Sequence, residues 1–297
     1  MDSPPVPLPN LTVQQLEYLV AVGRTGTWAE AAATVGVTPS ALSQGLAELE
    51  RRVGVAMFER DGRRRVLTAS GREVLAHAEA VVARTADLAR WAAGVRAGSV
   101  GQVRIGMIDA AAVHHLPDLL RRFRQDHPDV ELHLRVGPSR GLLDELVRAD
   151  LDLVVCVRPP RPVEGVETTP LLDEPLRVYA PPGADTDAPP AGWGPWVSFP
   201  AGSHSRQLIA RAVAAAGAPF DVVAESHQPE VLREMVAMGI GWTVLPVPQA
   251  ESGLDPMRPA RVRPLVHRTL VLARRTDTVA PAAVEALNAA LLVRAAE

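Results

Sequence analysis

Apolar positions recur at helical spacing from the start of the chain. Leu16, Leu19, Val20 and Gly23 fall on one side of a helix predicted over residues 13–24. Gly26 closes the connection that follows. Thr27 stands three residues before Glu30, so that hydroxyl and carboxylate can each satisfy a free backbone donor at the start of a short Ala-rich helix over residues 28–34. Gly36 permits a tight turn, after which Thr38 can cap a third helix with Pro39 at its first position. Here Leu42, Leu46, Leu49 and Val53 form an inward stripe, and Ser40, Ser43, Gln44 and Ala47 form a small, uncharged one opposite.

Two strands, residues 55–58 and 66–68, bracket Arg60-Asp-Gly-Arg-Arg-Arg65, a run with four Arg against one Asp. Three helices followed by such a hairpin predict a winged helix-turn-helix. The second stripe of the third helix suits base edges in a major groove, and the hairpin guanidinium groups suit phosphates. Water-facing Ser and Gln would give the same pattern, so the helix alone leaves both readings open.

From Ser70 to Trp91 there is no Pro and no Gly after Gly71, and Val74, Ala78, Val81, Thr85, Leu88 and Ala92 alternate steps of four and three. A long helix is predicted. Its stripe, widened by Leu75, Val82 and Ala89, serves either a second helix or the chain's own domain. Gly94, Gly98 and Gly101 then make a joint.

Beyond the joint the pattern changes to alternating strands and helices. Strands over 103–106, 130–136 and 151–157, with helices around Leu116–Phe123 and over 142–149, make a β-α-β-α-β run that favours a parallel sheet. Pro159, Pro160 and Pro162 mark a boundary, and a similar order restarts with strands at 195–199, 221–224 and 241–245 and helices at 205–216 and 230–238. A strand over 268–273 and a helix over 281–295 return to the first lobe, giving two crossings and a cleft. The fold class is α/β multidomain. The expected parts are a leader (1–10), a winged domain (11–69), a linker helix (70–96), lobe I (100–160 and 266–297) and lobe II (161–265).

Composition narrows the function. The 297 residues are 47% apolar, ample for several cores, and no apolar run is long enough to span a membrane. The Pro-rich start lacks the order of a secretory signal, which points to the cytoplasm. The net charge of −3 is evenly spread, with ten Arg against ten acidic residues through Val95 and no Lys anywhere. The Arg60–Arg65 cluster therefore stands out. The single cysteine, Cys156, lies in the apolar run Leu153-Val-Val-Cys-Val157 and reads as a buried strand thiol. No phosphate loop, Gly-x-Gly-x-x-Gly, His-Glu-x-x-His or nucleophile elbow occurs, and His114-His115 is not spaced for metal. No catalytic residue, metal or cofactor is expected.

The run Leu16-Glu-Tyr-Leu-Val20, then Gly26-Thr-Trp-Ala29 with Ala31-Ala32, Val37-Thr-Pro-Ser-Ala-Leu-Ser43, Leu49-Glu50, Gly54, Met57-Phe-Glu-Arg60, Arg64 and Leu67-Thr68 with Gly71 closely resembles the LysR-type transcriptional regulator family. The C-terminal part resembles that family's two-lobed effector domain through Pro200-x-Gly-Ser203 and Gly239-x-Gly-Trp-x-Val-Leu-Pro246. Pro39 and Gly45 depart from residues common in the family, and Gly45 weakens a helix by up to about 1 kcal/mol relative to Ala.

The resemblance implies a regulator whose base contacts come from Thr38, Ser40, Ser43 and Gln44, and whose backbone contacts come from Thr27, Arg60, Arg63, Arg64 and Arg65. Homodimers would form through Val74, Ala78, Val81, Val82 and Leu88, read two half-sites of a pseudo-palindromic double-stranded operator, and pair into tetramers. A small-molecule effector would meet Ile108, Asp109, Ala110, Ser139 and Arg140 from lobe I and Ser203, His204, Ser205, Ser226 and His227 from lobe II. Ala110-Ala-Ala112 stands where relatives often have a hydroxyl, and Asp109 would repel an anion. A neutral or amine-bearing effector, or none, stays open. The competing reading is a two-lobed solute-binding protein or enzyme whose N-terminal helices serve only association.

Overall fold

The computed structural model describes residues 9–61, 64–97, 101–253, 255–276 and 280–296. The chain forms two compact units, with the main division between Ala93 and Gly94.

In the first unit, α1 (Val13–Arg24), α2 (Trp28–Thr34) and α3 (Pro39–Val53) pack Leu16, Leu19, Ala31, Leu42, Leu46 and Leu49 into one core. Each start is capped as the sequence requires. Thr12 with Gln15 and Thr27 with Glu30 form reciprocal capping boxes, and Thr38 Oγ1 accepts from Ala41 N at 3.1 Å. Gly54 ends α3 at φ +79°, a left-handed conformation that a β-carbon would strain.

The two wing strands, β1 (Phe58–Asp61) and β2 (Arg64–Leu67), run antiparallel with Arg60 opposite Arg65 and Asp61 opposite Arg64. The arginines thus begin on the strands themselves, a shift from the predicted 55–58 and 66–68. Glu50 accounts for the later start: its carboxylate accepts from the amides of Met57 at 2.7 Å and Phe58 at 3.1 Å, which holds this stretch against the end of α3.

Helix α4 (Ala69–Ala97) follows. Thr68 Oγ1 accepts from Gly71 N at 2.8 Å at its start. Gly71 has no room for a side chain, since a β-carbon would lie 2.1 Å from the Met57 carbonyl oxygen.

The second unit holds a six-stranded sheet ordered β4-β3-β5-β10-β6-β9. Strands β3 (Gln102–Met107), β4 (Glu131–Val136) and β5 (Leu153–Val157) are parallel, joined through α5 (Pro117–Asp126) and α6 (Ser139–Val147) as expected of the repeating pattern.

The hydrophobic pattern does not reveal β6 (Val166–Tyr179), a 14-residue strand. It contains Pro170, Pro175 and the charged residues Glu167, Asp173, Glu174 and Arg177, and it pairs antiparallel with β10 (Val266–Arg275) along the whole length of the latter. A strand that carries the chain from one lobe to the other meets different surroundings along its length, so no single apolar alternation marks it.

In lobe II, β7 (Trp196–Ser198) and β8 (Val222–Glu225) are parallel; α7 (His204–Ala215), α8 (Pro229–Ala237), β9 (Thr243–Pro246) and α9 (Val247–Ala250) complete the lobe. Two separate cores result. Lobe I buries Ile105, Met107, Leu116, Leu142 and Val155 with α10 (Ala282–Ala296), and lobe II buries Trp196, Trp242, Ile209 and Leu232. Cys156 is fully buried in the first, and burial pushes its thiol up to about 12, far from reactive. Among the described residues no helix is long and apolar enough to cross a membrane, and no cluster of His, Cys, Asp and Glu could hold a metal.

Candidate nucleic-acid interface and interlobe cleft

Burial splits α3 into the two stripes predicted. Leu42, Leu46 and Leu49 are at most 1% exposed, whereas Ser40, Gln44 and Ala47 face solvent and Ser43 is half-buried. Thr38 and Thr27 are exposed, with their hydroxyls engaged as helix caps. Glu48 would place a negative charge beside this face, but it is compensated. Its carboxylate accepts from Arg51 Nε at 2.8 Å and from Arg52 Nε at 2.5 Å, and these hydrogen bonds hold it below the ordinary carboxylate range.

Gly45 is explained by packing. A β-carbon there would lie 2.7 Å from the Tyr18 ring, which is buried against α3. On the wing, the Arg65 guanidinium lies 5.2 Å above the Trp28 ring, itself set edge-on to Phe58 at 5.0 Å, so the hairpin is anchored to the start of α2. Arg60 is exposed on β1. Arg63 lies outside the described residues, and Arg64 is described only as the first residue of β2.

The residues expected to pair two subunits separate into two groups. Ala78 is 1% exposed in the winged core, with Val74, Leu75 and Val82 packed around it. Leu75 closes over Gly23 of α1, where a β-carbon would come within 2.6 Å of Cδ2. Ala78 thus lies within the core of its own domain, whereas Val74 and Val82 are only partly buried against it. The remaining ridge, Val81 at 42% exposed, Leu88 at 62% and Trp91 at 61%, is the outward one. Trp91 stands off the four-three spacing, which is why that spacing does not select it.

In the second unit most of the predicted cleft hydroxyls are already engaged. Ser139 Oγ accepts from Val157 N at 3.3 Å, Ser203 Oγ caps α7 through Arg206 N at 3.0 Å, and Ser226 Oγ accepts from Gln228 N at 3.1 Å. The His204 ring Nδ1 lies 3.1 Å from the Val157 carbonyl oxygen and ties lobe II to lobe I. Ile108 and Ala110 are buried, while Arg140 and His227 are exposed.

A set that the sequence pattern does not reveal joins the lobes across the crossing strands. Arg268 on β10 pairs with Glu174 on β6, its Nε donating to Oε2 at 2.6 Å, with both side chains almost wholly buried. His115 Nε2 lies 2.7 Å from Glu174 Oε1, Arg268 Nη1 donates to Ser205 Oγ at 2.9 Å, and Gln249 Nε2 donates to Asp109 Oδ2 at 2.9 Å. Burial opposes ionisation of Glu174, but the His115 hydrogen bond and the Arg268 charge outweigh it and hold the carboxyl below its ordinary range. Burial lifts the Asp109 carboxyl above that range, only partly offset by the Ala110 amide and by Arg268. No spacing rule joins residues so scattered along the chain. The pattern offers no signal for them, because β6, which carries Glu174, is not itself revealed. An open groove of about 850 Å³ beside α5 and β4, lined by residues including Pro117, Leu120, Arg124 and Leu134, contains none of the predicted contact residues.

Comparison with known proteins agrees with this geometry. Residues 13–72 match the model of the "Bacterial regulatory helix-turn-helix protein, lysR family", and residues 96–296 match that of the "LysR substrate binding domain". The chain is 30% identical to the HTH-type transcriptional regulator CbbR of Xanthobacter flavus, over 92% of this chain and 85% of that protein. Among solved structures it is similar to a full-length OxyR variant from Pseudomonas aeruginosa, at 25% identity and a TM-score of 0.59, covering 95% of each chain. It is also similar in fold to full-length CbnR in complex with its target DNA, at 19% identity and a TM-score of 0.57, covering 96% of this chain and 100% of that one.

Proposed function

We propose how this chain works from the family it belongs to, the LysR family of DNA-binding transcriptional regulators. The exposed stripe of α3 reads base edges in a major groove through Ser40, Ser43 and Gln44, with Thr38 at its start. Thr27 and the wing arginines Arg60, Arg63, Arg64 and Arg65 hold the phosphate backbone. The observation that carries this reading is the division of α3 into a buried leucine stripe and a small, uncharged, solvent-facing one. A face without fixed charge can approach base edges closely, and discrimination then rests on hydrogen-bond pattern rather than on charge. The solved DNA complex of CbnR, which shares the fold, supports the same reading.

Homodimers assemble along the outward ridge of α4, Val81, Leu88 and Trp91, and bring two winged units to the half-sites of a pseudo-palindromic operator; pairs of dimers form tetramers. A small-molecule effector enters the cleft between the lobes of the second unit and changes the affinity of the paired winged units for DNA by preferring one state of the cleft.

The test is a contrast between two substitutions, read by fluorescence anisotropy on operator and random duplexes. Arg64→Ala weakens binding to both and lowers the salt slope by about 1; Gln44→Ala costs about 1–3 kcal/mol on the operator alone and relaxes preference at one base position. Equal losses on both duplexes for Gln44→Ala remove α3 from base reading.

A further inference from the structure

Asp109, at the lobe I edge of the cleft, is a half-buried carboxylate whose described hydrogen-bond donors are both neutral: the Gln249 side-chain amide and the Ala110 backbone amide. The one guanidinium in the network is used up elsewhere. Arg268 directs Nε to Glu174, Nη1 to Ser205 and Nη2 to Gln249 Oε1 at 3.4 Å. Glu174 balances that charge directly, since the two are opposite one another across β6 and β10. The network therefore carries two carboxylates against one guanidinium, and its one imidazole, His115, lies on Glu174 rather than on Asp109. Glu230, at the start of α8, adds to the negative field at Asp109.

A carboxylate withdrawn from water needs a counter-charge or proton, and neutral amides supply neither. Gln249 is 3% exposed and bridges Arg268 to Asp109, so its amide marks a place where a stronger donor would fit against the same oxygen. An anionic ligand would find the opposite: the Arg268 charge already paired with Glu174, and a second carboxylate at the rim.

We propose that the cleft selects an effector bearing a protonated amine, which docks on Asp109 in place of the Gln249 amide while Glu174 keeps Arg268 from anchoring an anion. The inference rests on the reading of the cleft as the effector site. Because the Asp109–Gln249 bond ties lobe I to lobe II, its exchange for an amine links ligand charge to the spacing of the lobes.

The test uses full-length protein and matched probes followed by ligand-observed NMR at millimolar concentration: butylamine and 1,4-diaminobutane against butyrate and succinate. The expected result is binding of the amines and not of the carboxylates. Asp109→Asn is expected to weaken amine binding roughly ten- to hundredfold, the effect of one charged hydrogen bond. Gln249→Ala, which removes the competing donor and no charge, is expected to keep or strengthen it. Glu174→Gln is expected to release Arg268 and confer carboxylate binding. Thermal unfolding of each variant shows that it is folded, and the Gln249→Ala and wild-type results decide the matter should Asp109→Asn not fold. Carboxylate binding by the wild type, or amine binding unchanged in Asp109→Asn, overturns the amine assignment and leaves the cleft as effector site standing. Binding of neither class overturns both.

Discussion

Two carboxylates of the cleft network respond to pH in opposite senses. Glu174 is held below the ordinary carboxylate range in the folded protein, so its pairing contributes stability above the unfolded-chain value and loses it as the pH falls through the folded one. Asp109 is held above that range, so its ionised form costs stability as the pH rises through the folded value, and the cost disappears in acid. Urea unfolding should accordingly find Glu174→Gln less stable than wild type at neutral pH with a difference that shrinks in acid, and Asp109→Asn more stable at neutral pH with a gain that fades in acid. Removing the partner is harsher: Arg268→Met strands a buried carboxylate and should cost about 3–5 kcal/mol. Gly45 gives a second residue-scale prediction. Helix propensity alone says that Gly45→Ala stabilises by about 1 kcal/mol, but the added carbon meets the Tyr18 ring, and overpacking of about 1–3 kcal/mol wins. A net loss in unfolding free energy is the expected outcome, and a net gain would show that the ring moves aside freely.

Elements are legible where one periodicity holds throughout. Helix α1 follows from the spacing of Leu16, Leu19 and Val20 and α2 starts where Thr27 and Glu30 cap it, while β4 follows from its alternation and β3 and β5 from their apolar residues. Strand β6 is not legible, because a lobe-crossing strand changes its surroundings midway and carries Pro170 and Pro175. The network built on it is hidden for the same reason, since Glu174 and Arg268 acquire meaning only once β6 and β10 are paired. Helix α4 is legible as a helix but not in its facing. Of the four-three stripe, Ala78 is buried in the winged core with Val74 partly so, while Val81 and Leu88 are exposed, and Trp91, off that spacing, is exposed beside them. The outward ridge is the element-scale test of assembly. Leu88→Glu places a charge there without touching the winged core and should shift sedimentation equilibrium from dimer or tetramer toward monomer by roughly tenfold or more in dissociation constant, whereas Ala78→Glu should unfold the winged unit. An unchanged oligomeric state in Leu88→Glu places the interface elsewhere.

At the scale of the whole molecule, a chain of net charge −3 can meet a polyanion where its basic groups are gathered: the wing holds Arg60, Arg63, Arg64 and Arg65 within six residues, against Glu59 and Asp61 on β1. Dimers of the kind proposed would double that patch. Glu48, the acidic residue beside the exposed stripe of α3, is paired with Arg51 and Arg52, so it would add little repulsion toward a phosphate backbone. Affinity should therefore be electrostatic in origin and dimeric in stoichiometry, with sequence preference added by a few neutral side chains. The most direct measurement is a titration of the full-length protein against its operator duplex over a series of salt concentrations. The account predicts that log affinity falls linearly with log salt, with a slope that records several released counterions, two wings contributing together, and that operator and random duplexes share most of that slope. Binding that is indifferent to salt, or no binding to duplex DNA at low salt, would contradict it.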